Sequence, residues 1–367
     1  MEQRETKLTE KILGEPLFEK FQNCLAALPA PQEKVCFFDI ETTGLSPQIS
    51  SVYLIGAAFW ETDGVMLVQW FAEDYISEKD LLSAFVEFAS SFTTFVHYNG
   101  STFDIPYLEK KYRAHGLSSP FEGRDSLDIF REIRKKKELF ATPNLKLATM
   151  EKLLGFRRQD TYTGKDCIEL YTEFMQKKVF RDEKAVLLQQ SLLLHNRDDL
   201  IGTILCSQLL YYTRFFGTSP SCHTEQGMLV ICDTITGSYP IARQWERNGV
   251  FFTFDNNRLE IRVSLYRGTL YHFYKDYKNY FYLPEEDMAV HKSVGIYVDA
   301  SRREKASAAT CYTKKTGVFL PLPGAMKPEA LPLFQETRKS RNVYLALEEP
   351  VSLSEEFLIE FIQHLFL

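Results

Sequence analysis

The sequence predicts an α/β layer fold on a mixed sheet, followed by a smaller, mainly β domain. Three observations predict it. After a charged lead-in, apolar runs read as strands, two of them joined by Thr62-Asp63-Gly64, a hairpin signal. Short apolar strands then alternate with segments of helical period, as in α/β layers. Beyond Gly217-Thr218-Ser219-Pro220 the composition turns to tyrosine-rich, alternating segments with Gly and Pro punctuation, as in β domains. The 367 residues exceed what one core usually serves. The expected division is a helical lead-in at 1–32, an α/β domain at 33–216 and a β domain at 217–367.

The elements follow in order. Val35 to Glu41 reads as a buried strand, and Ser51 to Trp60 and Val65 to Phe71 as two more. Ser77 with Asp80 resembles a capping box, and Leu81, Leu82, Phe85, Phe88 and Ala89 keep helical spacing behind it. Thr94 to Tyr98 is a short strand. Ile105 to His115 reads as a helix, with Pro106 in its first turn and Gly116 past its end, and Ser126 to Phe130 as a further strand. From Asn144 the pattern is helical, over Leu145 to Leu154, Cys167 to Lys178 and a long helix from Glu183 to Phe215. A helix from Ser352 to Leu367 closes the chain.

Composition narrows the class. With 45% hydrophobic and 14% aromatic residues the chain can bury a large core. The charged start does not resemble a signal peptide and no run approaches the roughly 18 apolar residues of a membrane span, so a cytoplasmic protein without membrane contact is expected. The seven cysteines are scattered and lack a C-x-x-C pair, which implies neither a disulfide framework nor a zinc site. A net charge of −6 argues against nonspecific coating of nucleic acid. The basic run Arg131, Arg134, Lys135, Lys136 and Lys137 reads as a solvated helix end or as a phosphate contact.

Three motifs carry the chemistry. In FDIETTGL, Asp39 and Glu41 share one face of a strand inside an apolar run, where two anions repel unless a cation neutralises them. In HYNGSTFDIPYL, Asn99 and Asp104 follow a strand and precede a helix; Asp104 either caps that helix or faces the carboxyl end of the neighbouring strand as a third ligand. In LLLHNRDDLIGT, His195 and Asp199 lie one turn apart on a helix, as an ion pair or as a ligand beside a proton acceptor. Asp198 lies about 100° away around the helix, so one of the two acids should face the site.

As an ordered triple, FDIETTGL, NGSTFD and HNRDD resemble the exonuclease motifs of the DEDD group within the ribonuclease H-like fold. NLKLATMEKLLGF (Asn144 to Phe156) and DTYTGKDCIELY (Asp160 to Tyr171) resemble the intervening segments of its YprB-type branch, related to the proofreading domain of family B DNA polymerases. The resemblance covers roughly 33–215. It implies a ribonuclease H-like mixed sheet flanked by helices, and a 3′-to-5′ exonuclease acting on single-stranded DNA or RNA. It also implies two Mg²⁺ or Mn²⁺ ions held by Asp39, Glu41, Asp104 and Asp199, with His195 orienting or deprotonating the attacking water and Thr42 and Asn99 contacting substrate. One departure stands out: the group carries Tyr four residues before the third-motif acid or His five before it, whereas here His occupies the four-residue spacing. Asp198 is the alternative to Asp199. Two other functions fit the same fold: a nucleic-acid-binding scaffold without catalysis, and an endonuclease on branched or hybrid substrates.

The resemblance leaves the C-terminal domain unassigned. LYRGTLYHFYKDYKNYFYL (Leu265 to Leu283) interleaves aromatics with Arg267, Lys275 and Lys278, as a sheet core with its rim or as a stacking platform for bases.

Overall fold

The computed structural model describes residues 1–28, 30–61, 64–213, 217, 219–324, 326–328, 331–348 and 350–366. The expected hairpin residues Thr62 and Asp63, the boundary residues 214–216 and 218, and Leu367 lie outside that set. The chain divides into two compact units, Met1–Thr213 with Gly237–Ile241, and Arg214–Thr236 with Ala242–Leu367.

The first unit is built on a six-stranded mixed sheet of β1 (Glu2–Leu8), β2 (Val35–Thr42), β3 (Val52–Glu61), β4 (Gly64–Phe71), β5 (Thr94–His97) and β6 (Asp125–Asp128), in the order β1-β4-β3-β2-β5-β6. Pairing is antiparallel from β1 to β2 and parallel from β2 through β5 to β6. β2 and β3 sit in the middle with both faces covered, which is why their sequences are nearly continuous apolar runs. The helices are α1 (Glu10–Leu13), α2 (Glu15–Ala26), α3 (Glu78–Ala89), α4 (Asp104–His115), α5 (Ile129–Arg134), α6 (Leu147–Leu153), α7 (Gly164–Val179) and α8 (Lys184–Cys206). Leu81, Leu82 and Phe85 of α3 share one core with Phe38, Trp70, Phe95 and Tyr171. Tyr171 of α7 stacks on Tyr53 at 4.1 Å between ring centres.

Four expectations are corrected. The start is not a helical lead-in throughout: Glu2–Leu8 pairs with β4, its burial alternating along the strand, before α1 and α2. Ser77 and Asp80 form no capping box; Asp74 Oδ1 instead accepts the Ser77 N–H at 2.8 Å. Phe130 lies in α5, because Asp128 caps that helix by accepting the Arg131 N–H. The long helix expected from Glu183 to Phe215 is α-helical over Lys184–Cys206 and continues as a 3₁₀ helix over Ser207–Tyr212. From Leu192 to Cys206 most of α8 is buried, as expected of a helix apolar around much of its circumference. Among the described residues, no helix is long and apolar enough to cross a membrane.

The second unit is antiparallel β. One sheet is β7 (Ser221–Glu225), β8 (Met228–Thr234), β9 (Arg243–Arg247), β10 (Val250–Asp255) and β11 (Arg258–Ser264), in the order β7-β8-β11-β10-β9. A second holds β12 (Tyr266–Phe273), and a third holds β13 (Tyr280–Leu283), which pairs β14 (Met288–His291). The closing helix, Glu355–Phe366, seats Phe366 against Phe252 and Phe254. Tyrosines of the aromatic segment pack into the sheets: Tyr274 stacks on Tyr280 at 4.4 Å, Tyr266 lies against Phe319 and Tyr344, Tyr271 and Tyr282 against Tyr312, and the Tyr282 hydroxyl donates to Asp287 at 2.7 Å.

Candidate active site

β2 presents Asp39 and Glu41 on one face two residues apart. Across the sheet Asp39 pairs with Gly56 and Gly56 with Gln69, so the three share a face in one row across the strands. Gly56 is what lets α8 approach: a Cβ there would lie 2.0 Å from Asn196 Oδ1. Through that gap Asn196 Nδ2 donates to Asp39 Oδ2 at 2.9 Å, and Gln69 Nε2 donates to Asn196 Oδ1 at 2.8 Å and to the Leu193 carbonyl at 2.9 Å. The buried amide chain fixes one oxygen of Asp39 from behind. A bulge between Glu41 and Thr42 shifts the β2–β3 register before the last pair, Thr42 with Val52, and the Thr42 hydroxyl donates to the Gly44 carbonyl at 2.9 Å.

Asp104 arrives from the other side. β2 pairs β5 only as far as Phe37 and Val96, so the Ile40 N–H lies beyond the ladder, and Asp104 Oδ1 accepts it at 3.3 Å. Asp104 is the first residue of α4, and that helix has no side-chain cap. The loop before it turns on Asn99, which holds φ 63°. Asp128 ties that loop down, accepting the Asn99 N–H at 2.9 Å and the Ser101 N–H at 3.2 Å. Asn99 is exposed, and its side-chain oxygen accepts from the Thr102 hydroxyl at 2.6 Å.

α8 completes the cluster. His195 Nε2 lies 3.5 Å from Glu41 Oε1 and 3.5 Å from Asp199 Oδ2, and its Nδ1 is 2.6 Å from Asp160 Oδ2. Asp198 turns away: its Oδ2 accepts the N–H groups of Gln159 and Asp160 at 2.7 and 3.0 Å. The two adjacent acids therefore differ in task, one facing the cluster and one holding the 159–160 loop. On that loop Arg158 donates to Asp199 Oδ1 and to both oxygens of buried Glu151.

Crowding shows in the ionisation. Burial, then the charges of Asp199, Asp104 and Glu41, hold the Asp39 carboxyl well above its ordinary range. Burial pushes Glu41 up to about 8, with Asp199, Asp104 and Asp160 adding to it against the pull of His195. Burial, with Asp128 and Asp199, lifts Asp104 to about 7 despite the Ile40 N–H. Burial alone would lower His195, but Asp199, Glu41 and Asp160 outweigh it and raise its pKa. Such a site gains from added positive charge. Ligand atoms of Glu41, His195 and Asp199 lie within 4.8 Å of one another, as a metal site requires, and the hard oxygen donors around them suit Mg²⁺ or Mn²⁺.

The sequence motifs thus supply Asp39, Glu41, Asp104, His195 and Asp199 to mutually interacting positions, while Thr42 and Asn99 make contacts within their own turns. Motif spacing does not predict the residues that support them, Gln69, Asn196, Glu151, Arg158 and Asp160. Gln69 carried a signal, a lone amide inside the apolar run VMLVQWF.

This mixed sheet with its flanking helices and acidic centre defines a ribonuclease H-like domain. Residues 36–211 match the family described as the RNase_H superfamily. No curated protein matches the chain significantly. Among solved structures it is similar to the family B DNA polymerase of Pyrobaculum calidifontis, with 16% identity and TM-score 0.36, over 68% of this chain and 35% of that one. It is similar also to exonuclease I of Methylocaldum szegediense, at 13% identity and TM-score 0.30 over 54% of this chain and 53% of that one. E. coli exonuclease I in complex with a dT13 oligonucleotide gives 13% identity and TM-score 0.32, over 60% and 55% of the two chains. The chain thus spans from a third to about half the length of these proteins.

Proposed function

We propose that this chain is a cytoplasmic, metal-dependent nuclease that hydrolyses phosphodiester bonds of single-stranded nucleic acid from the 3′ end. The observation that carries the reading is the meeting of Glu41 on a central strand with His195 and Asp199 on a distant helix, within 4.8 Å. Asp39, Glu41, Asp104 and Asp199 would hold two Mg²⁺ or Mn²⁺ ions. When bound, such a pair supplies Lewis-acid stabilisation of the attacking and leaving oxygens of an in-line displacement.

The chain's own residues do the rest. Asp160 accepts a hydrogen bond from the Nδ1–H of neutral His195, which leaves Nε2 to accept a proton from the attacking water. Asn196 and the Ile40 N–H hold Asp39 and Asp104 in place. Thr42 at the end of β2 and Asn99 on the turn after β5 contact the substrate backbone.

A digestion panel tests the reading, with end-labelled single- and double-stranded DNA and RNA and a circular single strand, in Mg²⁺, Mn²⁺ or EDTA. Stepwise loss from the 3′ end with metal, and none in EDTA, is expected. Cleavage of the circle would overturn the exonuclease assignment, and cleavage undiminished by EDTA the metal one.

A further inference from the structure

Arg158 joins carboxylates from separate parts of the first unit. Its Nε and Nη2 bond Glu151 Oε2 and Oε1 at 2.6 and 2.8 Å, and Nη2 also donates to Asp199 Oδ1. Nη1 lies 3.8 Å from Asp160 Oδ2. Glu151 is 1% exposed, and its seat is built into α8: a Cβ at Gly202 would lie 1.9 Å from Glu151 Oε1. Glycine weakens a helix interior relative to alanine. The helix thus gives up stability one turn from Asp199 to make room for an acid that touches no proposed metal ligand directly. What that acid does is hold a guanidinium.

We infer that Arg158 is a fixed counter-ion for Asp199 that keeps divalent cations weakly bound until a substrate phosphate joins them. The inference rests on the metal-dependent reading above. With Oδ1 of Asp199 taken by Arg158, the oxygen turned toward Glu41 and His195 is Oδ2. A guanidinium stays protonated at every working pH, so its repulsion of an incoming dication does not titrate away. Glu151 grips it through two bonds, so it cannot swing aside. A phosphodiester brings both oxygen ligands and negative charge, and so offsets what Arg158 withholds. Metal and substrate then load together, and Arg158 acts as a positioning residue.

The test is calorimetric titration of Mn²⁺ into the full chain, alone and with a single-stranded oligonucleotide carrying phosphorothioate linkages at its 3′ end. The double variant E151Q/R158M removes buried Glu151 and half-buried Arg158 as charges at once, which avoids leaving either unpaired. Without oligonucleotide it should bind Mn²⁺ roughly tenfold more tightly than wild type, the scale of one nearby charge partly screened by solvent. The oligonucleotide should tighten Mn²⁺ binding to wild type and have a much smaller effect on the double variant. R158K keeps a cation on Glu151 without the fork to Asp199 and should move the same way by about threefold, which keeps the test decisive if the double variant does not fold. Damage to the fold would weaken metal binding, the opposite direction. Equal or weaker binding in a folded variant overturns the inference. Wild type that binds no Mn²⁺ with or without oligonucleotide overturns the metal-dependent reading itself.

Discussion

Removing His195 separates proton transfer from metal binding. Its Nε2 stands 3.5 Å from both Glu41 and Asp199 while Nδ1 is anchored on Asp160, so the ring is oriented but leaves the oxygen ligands intact when deleted. His195→Ala should lower turnover by roughly 10² to 10⁴, the usual contribution of a positioned acid or base, and flatten the acid limb of the pH profile with Mn²⁺ affinity nearly unchanged. Near-full activity with an unaltered profile would make the imidazole a bystander. Asp39→Asn probes the other side of the cluster. It keeps the contact with Asn196 but removes a charge that burial and three neighbouring acids oppose. Metal-free stability should rise, and cleavage should vanish; a variant as active as wild type would remove Asp39 from the site. Residues of this kind were legible because chemistry requires carboxylates at fixed spacings. Asn196 and Asp160 were not, since an amide or acid that braces a ligand has no spacing of its own and is defined only by the packing of α8 and the loop at 157–163.

Elements deliver these residues, and two of them depend on small or turned-away side chains. Gly56 opposite Asp39 admits Asn196, so Gly56→Ala should push α8 off the sheet. The expected loss is about 1–3 kcal/mol, typical of overpacking, with activity falling alongside stability in a denaturant titration. An alanine tolerated without change would mean that β3 and α8 are not held as closely as the row from Asp39 to Gln69 implies. Asp198 is the anchor for the loop that carries Arg158 and Asp160. Asp198→Ala should strand the buried N–H of Asp160 and release that of Gln159, destabilise by about 1–3 kcal/mol, yet keep measurable metal-dependent cleavage, whereas Asp199→Ala should abolish it. The reverse ranking would exchange the two acids. At this scale the sequence was a partial guide. The central strands showed through as apolar runs because both faces are covered. The first strand did not, since an edge strand carries charges on both faces here, Glu2 and Arg4 on one and Glu5 and Lys7 on the other, which read as a helix or a tail. That Asp74, in the turn before α3, would engage the Ser77 N–H in place of a Ser77–Asp80 box was hidden because either polar residue fits the pattern and the backbone decides.

The acidic centre also makes the stability of the whole first unit depend on pH and metal. Glu41 titrates near 8 instead of 4.5, Asp104 near 7 instead of 3.8, and Asp39 well above 3.8, so the folded protein keeps protons that the unfolded chain has released. A state that binds more protons is favoured at low pH, and its advantage fades as pH rises from the unfolded values through the folded ones. The raised pKa of His195 has the same sign, because that proton too is held more tightly when folded and its contribution is lost as pH rises past it. Burial lowers His97 to about 4, so that one group runs the other way up to its ordinary value of 6.5, but the three carboxyls and His195 outweigh it: the metal-free protein in EDTA should melt at lower temperature at pH 8 than at pH 5, falling most steeply above about pH 6.5. Divalent cations compete for the same oxygens only once these are ionised, and binding to the folded state alone raises its stability by mass action. Mn²⁺ should therefore raise Tm more at pH 8 than at pH 5, and the difference should shrink in Asp39→Asn and Glu41→Gln. A Tm indifferent to pH in EDTA, or raised equally by Mn²⁺ at both ends of that window, would show that these carboxylates do not share one metal-binding centre.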